Sequence, residues 1–179
     1  MIKVRVHGRG GEGAVTFAHI LCASVRFDGK FGLSCMSPAV ERRGAPVEAY
    51  GRIGDRRIAE RGNIAKPDIV TVLNPALTQA VNIEAGMPEG GKLIVNARKD
   101  LQLSHETVYI NATSIAMRIL KVPITNTVML GAFAAATGLV TLESLGKGMR
   151  LILGSRFSEE KLQSNLEAIR AGYEEVKRG

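Results

Sequence analysis

Short apolar runs alternate with longer stretches of helical periodicity along this chain. Residues 2–7 alternate apolar and polar side chains, the pattern of a strand with one protected face. From Ala14 the apolar residues recur at helical spacing until Asp28-Gly29 ends the helix. The same patterns predict further strands at 31–36, 47–53, 69–73, 93–96 and 108–111, and helices starting at 74 and 158 and spanning 81–85, 112–120, 127–137 and 142–152.

This alternation predicts an α/β fold: a Rossmann-like three-layer domain with a mainly parallel sheet covered on both faces. The strand at 47–53 is followed by Gly54-Asp55, which favours a turn. We therefore expect Arg56–Glu60 to return beside it, giving an antiparallel hairpin at one side of the sheet. The stretch 127–137 is apolar on all sides, so its helix is expected to be buried in the domain or at an interface.

Length and charge narrow the class of protein. Residues 1–179 suit a single domain. The net charge of +7 favours an anionic ligand or an acidic partner, but the basic residues are dispersed among acidic ones, so no nucleic acid is expected. The longest apolar stretch, 128–140, is too short to cross a bilayer, and the chain begins with a strand rather than a signal peptide. We expect a cytoplasmic protein with no membrane partner.

The side chains most often used in catalysis and metal binding are few. Cys22 and Cys35 do not form a Cys-x-x-Cys pair, so this chain alone is not expected to hold an iron–sulfur cluster or a zinc ion. His7, His19 and His105 have no obvious catalytic neighbours. We therefore predict neither a catalytic residue nor a metal ligand in this chain.

A glycine-rich segment, Gly8-Arg9-Gly10-Gly11-Glu12-Gly13, lies between the first predicted strand and the first predicted helix. Its G-x-G-x-x-G pattern lets the backbone approach a phosphate closely, and amides at the start of the Ala14 helix would face the anion. An NAD site also needs an acidic residue at the end of the second strand, where this chain has Leu33–Ser37. The segment thus predicts a phosphorylated ligand without identifying it as NAD. The alternative is a tight turn that binds nothing.

Two charged residues in this segment lead to different expectations. Arg9 is placed to reach a ligand phosphate, and the alternative is an arginine that faces solvent. Glu12 would repel a phosphate, so its side chain is expected to face away from the ligand or to cap the start of the helix.

A second unusual segment is Glu41-Arg42-Arg43-Gly44-Ala45-Pro46, which follows a predicted strand. Ligands of open α/β sheets bind at strand ends. The guanidinium groups of Arg42 and Arg43 could bind phosphate or carboxylate there through paired donors. The alternative is an ion pair with Glu41 or with a partner subunit.

These segments resemble a known family. His-Gly-Arg-Gly-Gly-Glu-Gly-Ala-Val-Thr at 7–16 and Glu-Arg-Arg-Gly-Ala-Pro-Val-Glu-Ala at 41–49 are similar to the gamma subunit of pyruvate:ferredoxin oxidoreductase and its relatives. Further similarity follows in order at 66–68, 93–96, 123–132 and 172–176. The resemblance implies a multi-subunit enzyme that oxidatively decarboxylates a 2-oxoacid to an acyl-coenzyme A and passes the electrons to ferredoxin or a similar acceptor.

The resemblance also implies where the cofactors are held. Coenzyme A is expected at this subunit, which would dock onto alpha, beta and delta-type subunits carrying thiamine diphosphate, Mg and iron–sulfur clusters. The isolated chain would then be inactive. The residues carried over to the coenzyme A site are Gly8, Arg9, Gly10, Gly11, Glu12, Gly13, Ala14, Arg42 and Arg43.

One segment departs from the family pattern. Pyruvate-type members tend to carry an aromatic-rich stretch before the arginine segment, where this chain has Cys35–Val40. The loss of aromatic bulk suggests room for a larger substrate, such as a branched or aryl 2-oxoacid. Two other functions stay open at this point: a structural subunit whose glycine segment is empty, and a free-standing nucleotide-binding protein.

Overall fold

A six-stranded sheet forms the centre of the protein, whose computed structural model describes residues 1–36, 44–98 and 100–178. The strands are β1 (Ile2–Arg9), β2 (Phe31–Met36), β3 (Pro46–Gly54), β4 (Ile69–Val72), β5 (Lys92–Asn96) and β6 (Glu106–Ile110), in the order β2-β3-β1-β4-β5-β6. The helices are α1 (Ala14–Ser24), α2 (Leu77–Ala80), α3 (Ala112–Leu120), α4 (Asn126–Thr137), α5 (Leu142–Leu153) and α6 (Glu159–Arg178). No helix in the described ranges is both long enough and apolar enough to span a membrane.

The strands are mainly parallel. β1, β4, β5 and β6 run in one direction, with Val4 beside Ile69 and Val70 beside Leu93. β3 runs antiparallel to both of its neighbours, β1 and β2. The predicted α/β class, with a mainly parallel sheet and an antiparallel pair at one side, is confirmed.

The predicted partner of the antiparallel strand is wrong. Residues 56–60 form no strand, because the place beside β3 is taken by β2, with Phe31 opposite Gly54. The segment after β3 leaves the sheet instead, and the carboxylate of Glu60 contacts the side chains of Lys3 and Arg52. A local turn therefore follows β3 without making a hairpin.

Residues 81–85 form turns rather than the predicted short helix. The Asn82 side chain accepts a hydrogen bond from the amide two residues on at 3.2 Å, a local bond that competes with helix formation. The carbonyl oxygens of Ile83 and Ala85 accept from the guanidinium of Arg5 at 2.9 and 2.8 Å. Carbonyl groups that a helix would use are thus bound to a buried arginine.

The two faces of the sheet are covered differently. Helices α1, α3, α4, α5 and α6 pack on one face, around a large apolar core that includes Val6 of β1 and Phe133 of α4. The opposite face of β4–β6 buries a smaller apolar group around Val72, beneath the four-residue α2 and the loops at 73–76, 81–91, 97–98 and 100–105. The third layer is therefore made mainly of loops.

Helix α4 is buried inside the domain, as its apolar pattern predicted, and it packs very closely against α6. A Cβ added to Gly131 of α4 would collide with the carbonyl oxygen of Ile169, and one added to Gly172 of α6 would collide with that of Val128. The two helix backbones therefore meet without a side chain between them.

Replacing Gly131 with alanine tests this helix contact. The added methyl group must displace the backbone of α6, so we expect the free energy of unfolding to fall by about 2–3 kcal/mol despite the better helix propensity of alanine. Urea unfolding of the full chain, followed by circular dichroism, measures the change. Gly146→Ala in α5 is the matched control, because its methyl group would meet only the end of the Leu166 side chain. Equal losses in both variants would contradict the backbone contact.

Candidate functional site

The glycine loop, residues 8–13, lies at the carboxyl end of β1 near the middle of the sheet. Because β1 and β4 are parallel, Asn74 just after β4 lies on the same edge, and β5 ends there at Asn96. Helix α4 begins at this edge too, since Thr125 Oγ1 donates to the carbonyl oxygen of Leu73 at 3.3 Å. This is the edge at which open α/β sheets bind their ligands.

The glycines of the loop serve different purposes. Gly11 and Gly13 have φ values of 95° and 85°, in the left-handed region that favours glycine. The Cβ side of Gly11 is open space, whereas a Cβ on Gly13 would collide with the side chain of Asn126 at the start of α4. A Cβ on Gly8 would lie 3.1 Å from the methyl group of Ala14. The loop thus packs against its own helix and α4, and stays open at Gly11.

Hydrogen bonds join the glycine loop to the end of the arginine segment. The amide of Gly10 donates to the carbonyl oxygen of Ala45 at 2.9 Å, and the amide of Gly44 donates to the carbonyl oxygen of Gly10 at 3.1 Å. These two bonds extend the β1–β3 ladder into the loop. Arg42 and Arg43 lie outside the described residues, and the part of their segment that is described lies against the glycine loop.

The side chain of Arg9 spans the same two segments. Its Nη1 donates to the carbonyl oxygen of Gly44 at 3.0 Å, in an exposed position. The guanidinium is therefore anchored at the rim of the loop by one of its donors. Neither of the two sequence alternatives, a phosphate contact or an arginine in solvent, included this contact.

The carboxylate of Glu12 is directed into the loop. Its Oε2 accepts from the amide of Arg9 at 2.7 Å, and its Oε1 accepts from Asn74 Nδ2 at 2.5 Å. Helix α1 has no side-chain cap, so the capping alternative for Glu12 is wrong. The physical reason is that both oxygens accept hydrogen bonds from groups at the ends of β1 and β4, which leaves neither for the first amides of α1.

Helix α1 begins directly after the loop with its first amides uncapped. By contrast, Asn111 caps α3 and Thr141 caps α5. The first amides of a helix have no partner within the helix, and its amino end carries partial positive charge. The end of the glycine loop therefore presents the donors and the positive potential that suit an anion.

Sequence reasoning missed three polar residues that shape this site. Asn74 holds Glu12, Asn126 packs on Gly13, and Thr125 ties α4 to the end of β4. Asn74 could have been found, because a polar residue directly after a buried parallel strand lies at the ligand edge of the sheet. Thr125 and Asn126 lie in the family-like string at 123–132, but their contacts with the loop and β4 depend on where α4 packs.

A buried polar cluster lies beneath the loop on the second face of the sheet. Arg5 Nε donates to His7 Nε2 at 3.1 Å, and His7 Nδ1 lies 3.6 Å from Glu48 Oε1. The hydroxyl of Tyr50 donates to the other oxygen of Glu48 at 2.5 Å. Arg5 and His7 are only 5% and 3% exposed, so their polar groups need protein partners, which they find in one another and, for Arg5, also in the carbonyl oxygens of Ile83 and Ala85.

Burial lowers the pKa of His7 from its usual 6.5 to about 4. The carboxylate of Glu48 opposes this shift, and the positive charge of Arg5 adds to it. Because Nε2 accepts from Arg5, the neutral ring carries its proton on Nδ1, towards Glu48. His7 is therefore neutral at pH 7 and supports the strand that leads into the loop.

The match to known proteins extends over almost the whole chain. Residues 3–175 match the family model described as pyruvate ferredoxin/flavodoxin oxidoreductase. This chain belongs to that family. A pyruvate synthase subunit PorC from Methanocaldococcus jannaschii is 43% identical over 177 residues, which cover 98% of this chain and 97% of that relative.

Two further relatives of this oxidoreductase subunit show the same correspondence. The gamma subunit of an NADH-dependent phenylglyoxylate dehydrogenase from Aromatoleum evansii is 43% identical over 182 residues, covering 98% of this chain and 94% of the relative. The crystal structure of the pyruvate oxidoreductase subunit PORC from Thermotoga maritima is similar with a TM-score of 0.80 at 34% identity, covering 97% and 96% of the two chains. The resemblance seen in the sequence is confirmed, and the chain is a gamma-type subunit of a 2-oxoacid oxidoreductase.

Cys22 of this oxidoreductase subunit is not available for chemistry at the loop. Cys22 is buried in α1, and burial raises the pKa of its thiol to about 12. Across residues 1–36, 44–98 and 100–178, no group of three or more His, Cys, Asp and Glu side chains could hold a metal ion. What the described site offers is binding by amides and Arg9.

The low pKa of His7 predicts how stability depends on pH. The folded chain keeps His7 neutral down to about pH 4, whereas the unfolded chain protonates it near 6.5. The unfolded state therefore binds more protons between these values, and this contribution to stability, complete above pH 6.5, is lost as the pH falls towards 4. We expect His7 to account for a loss on the order of 2 kcal/mol between pH 7 and pH 5.

Urea unfolding of the full chain at both pH values measures this loss. His7→Gln keeps an acceptor for Arg5 and should remove most of the pH dependence, although it lowers stability at pH 7. His19→Gln is the control, because His19 is exposed on α1 and its replacement should leave the dependence unchanged. A His7→Gln chain that lost as much stability on acidification as the wild type would contradict the assignment.

Proposed function

We propose that this gamma-type subunit holds the phosphate end of coenzyme A at the glycine loop, for a 2-oxoacid oxidoreductase whose chemistry is carried by partner subunits. The complex would oxidatively decarboxylate a 2-oxoacid to an acyl-coenzyme A and pass the electrons to ferredoxin or a similar acceptor. The observation that carries the proposal is the glycine loop at the carboxyl end of β1, open at Gly11 and followed by the uncapped start of α1.

The residues present fit a phosphate. The open side of Gly11 gives an anion room to approach the backbone, and Gly13 brings the first amides of α1 close to the same edge. The only acidic side chain within the loop, Glu12, has both oxygens engaged away from α1. Arg9, anchored at the rim, adds a positive charge that can donate further hydrogen bonds.

This chain's own contribution is to bind and orient. Its amides and Arg9 would fix the phosphates of coenzyme A, so that the thiol end is delivered to a partner subunit. Thiamine diphosphate, bound with Mg on a partner, would supply the centre that stabilises the carbanion after decarboxylation, and iron–sulfur clusters would carry the electrons. On this proposal the isolated chain is inactive.

Docking onto alpha, beta and delta-type subunits is the second part of the proposal. Exposed apolar side chains lie in the segment that leads to the start of α4: Met117, Val122 and Ile124 are 48%, 42% and 43% exposed. Exposed apolar side chains gathered in one short segment support a surface that a partner covers. We propose that this surface meets a catalytic subunit.

The Arg9→Ala variant of the assembled enzyme tests the coenzyme A site. Removing one charged donor should raise the KM for coenzyme A roughly tenfold, which is the size expected for a charge-assisted hydrogen bond. The rate of decarboxylation measured without coenzyme A should stay close to that of the wild type. Steady-state kinetics of both reactions on the purified complex supply the measurement.

Arg57→Ala is the matched control for Arg9. Arg57 is exposed and follows the end of β3, at the opposite edge of the sheet from the glycine loop. The control should leave the KM unchanged. An unchanged KM in Arg9→Ala would favour a structural subunit with an empty loop, and equal losses in both reactions would indicate damage to assembly.

The nature of the 2-oxoacid is the last part of the proposal. The chain is as similar to a phenylglyoxylate dehydrogenase subunit as to a pyruvate synthase subunit, at 43% identity in each case. The segment 35–40 lacks the aromatic residues typical of pyruvate-type members, and residues 37–43 lie outside the described structure. We propose a branched or aryl 2-oxoacid as the substrate.

A panel of 2-oxoacids tests the substrate on the purified complex. We expect kcat/KM for a branched-chain or aryl 2-oxoacid to exceed that for pyruvate, because the segment 35–40 lacks the aromatic bulk of the pyruvate-type members. Restoring aromatic side chains at Val40 and Met36 should move the preference towards pyruvate. A wild-type complex that turned over pyruvate much faster than the bulky acids would contradict the proposal.

A further inference from the structure

The hydrogen bonds of Glu12 connect the ends of two neighbouring strands, β1 and β4. One carboxylate oxygen accepts from the amide of Arg9 at 2.7 Å, within the loop. The other accepts from Asn74 Nδ2 at 2.5 Å, and Asn74 is 62 positions away in the sequence. The loop at the end of β1 is therefore fastened to the end of β4 by one side chain.

Asn74 is itself held firmly. Its Oδ1 accepts from the amide of Ala76 at 3.0 Å, which leaves Nδ2 as the group that faces Glu12. The preceding residue, Leu73, is 2% exposed and donates its amide to the carbonyl oxygen of His7 at 2.9 Å. The anchor for the loop is thus the rigid end of a central strand.

We propose that Glu12 and Asn74 are a positioning pair, which holds the glycine loop in the conformation that binds the coenzyme A phosphate. This inference rests on the proposed function. With the pair intact, Gly11 and Gly13 keep their positive φ values and the loop stays open towards the ligand. A loop fixed before binding loses less conformational entropy when the ligand arrives, so the pair raises affinity without touching the ligand.

The pairing requires a carboxylate at one position and an amide at the other. In Glu12→Gln, a glutamine oxygen that accepts from the Arg9 amide leaves the glutamine NH₂ facing the NH₂ of Asn74, so two donors meet. Turning the Asn74 amide over would break its bond to Ala76. In Asn74→Asp, two carboxylates face each other and repel.

The exchanged pair, Glu12→Gln combined with Asn74→Asp, restores every bond. The glutamine oxygen accepts from the Arg9 amide and its NH₂ donates to Asp at position 74. The other oxygen of that aspartate accepts from the amide of Ala76. Net charge and the number of hydrogen bonds match the wild type, which makes the double variant a rescue that general damage to the fold cannot imitate.

Two measurements on the assembled enzyme test the pair. The first is hydrogen exchange of amides 9–13 without coenzyme A, which we expect to be at least about tenfold faster in each single variant because the loop loses its hydrogen bond to the end of β4. The second is the KM for coenzyme A, which should rise roughly tenfold in each single variant with a smaller change in kcat. The double variant should return both to within about twofold of the wild type.

Glu84→Gln is the matched control for the change of charge. The carboxylate of Glu84 also accepts from backbone amides, those of Ser104 and His105 at 2.9 and 3.0 Å, but it lies in the loops on the second face of the sheet. Its replacement should leave exchange in the glycine loop and the KM for coenzyme A unchanged.

The outcomes separate this inference from the proposed function. Single variants that leave loop exchange unchanged overturn the positioning pair, as does a double variant that shows no recovery. If loop exchange follows the expected pattern while the KM for coenzyme A stays constant, the pair does not serve coenzyme A. In that case a raised KM for coenzyme A in Arg9→Ala still supports the proposed coenzyme A site. An unchanged KM in Arg9→Ala contradicts both the proposed site and the positioning pair.

Discussion

The parallel pairing of β1 with β4 is the contact on which the site depends. It sets Val4 beside Ile69 and continues until the amide of Leu73 donates to the carbonyl oxygen of His7. Asn74 then lies next to the glycine loop, and the carbonyl oxygen of Leu73 receives Thr125 at the start of α4. Since side chains alternate faces along a strand, a shift of this register by one residue would separate all of these groups.

The second face of β1 has unusually many buried polar side chains for a central strand. Arg5 is 5% exposed, and its guanidinium donates to the carbonyl oxygens of Ile83 and Ala85 as well as to His7. Where helices would bring apolar side chains to such a face, loops bring backbone carbonyl groups. The polar strand face and the loop layer that covers it are therefore complementary.

The features that sequence predicted well are those determined by neighbouring residues. The strand at 2–7, the helix starting at Ala14 and the glycine loop between them all follow from local pattern and the conformational freedom of glycine. The assignment of 56–60 as the partner of β3 failed, because that place is taken by β2. Strand partners depend on the whole sheet, and a turn after a strand does not decide them.

In the candidate site, too, features set by neighbouring residues were predicted and contacts between distant residues were not. The glycines were recognised from their spacing, but the partners of Glu12 were not, because Asn74 is distant in sequence and meets the loop only through the pairing of β1 with β4. Asn126 approaches Gly13 only because α4 packs on the sheet. Residues that shape a loop from a distance leave no periodic pattern of their own.

The backbone contact between α4 and α6 has a consequence for how the chain folds during synthesis. Gly131 lies against the backbone of α6 and Gly172 against that of α4, and α6 follows every other helix and strand of the described residues. The apolar surface of α4 therefore remains uncovered on the ribosome until α6 has emerged from the exit tunnel. Exposed apolar surface of this kind attracts chaperones and promotes aggregation, so partner subunits bind most safely after α6 has left the tunnel and covered α4.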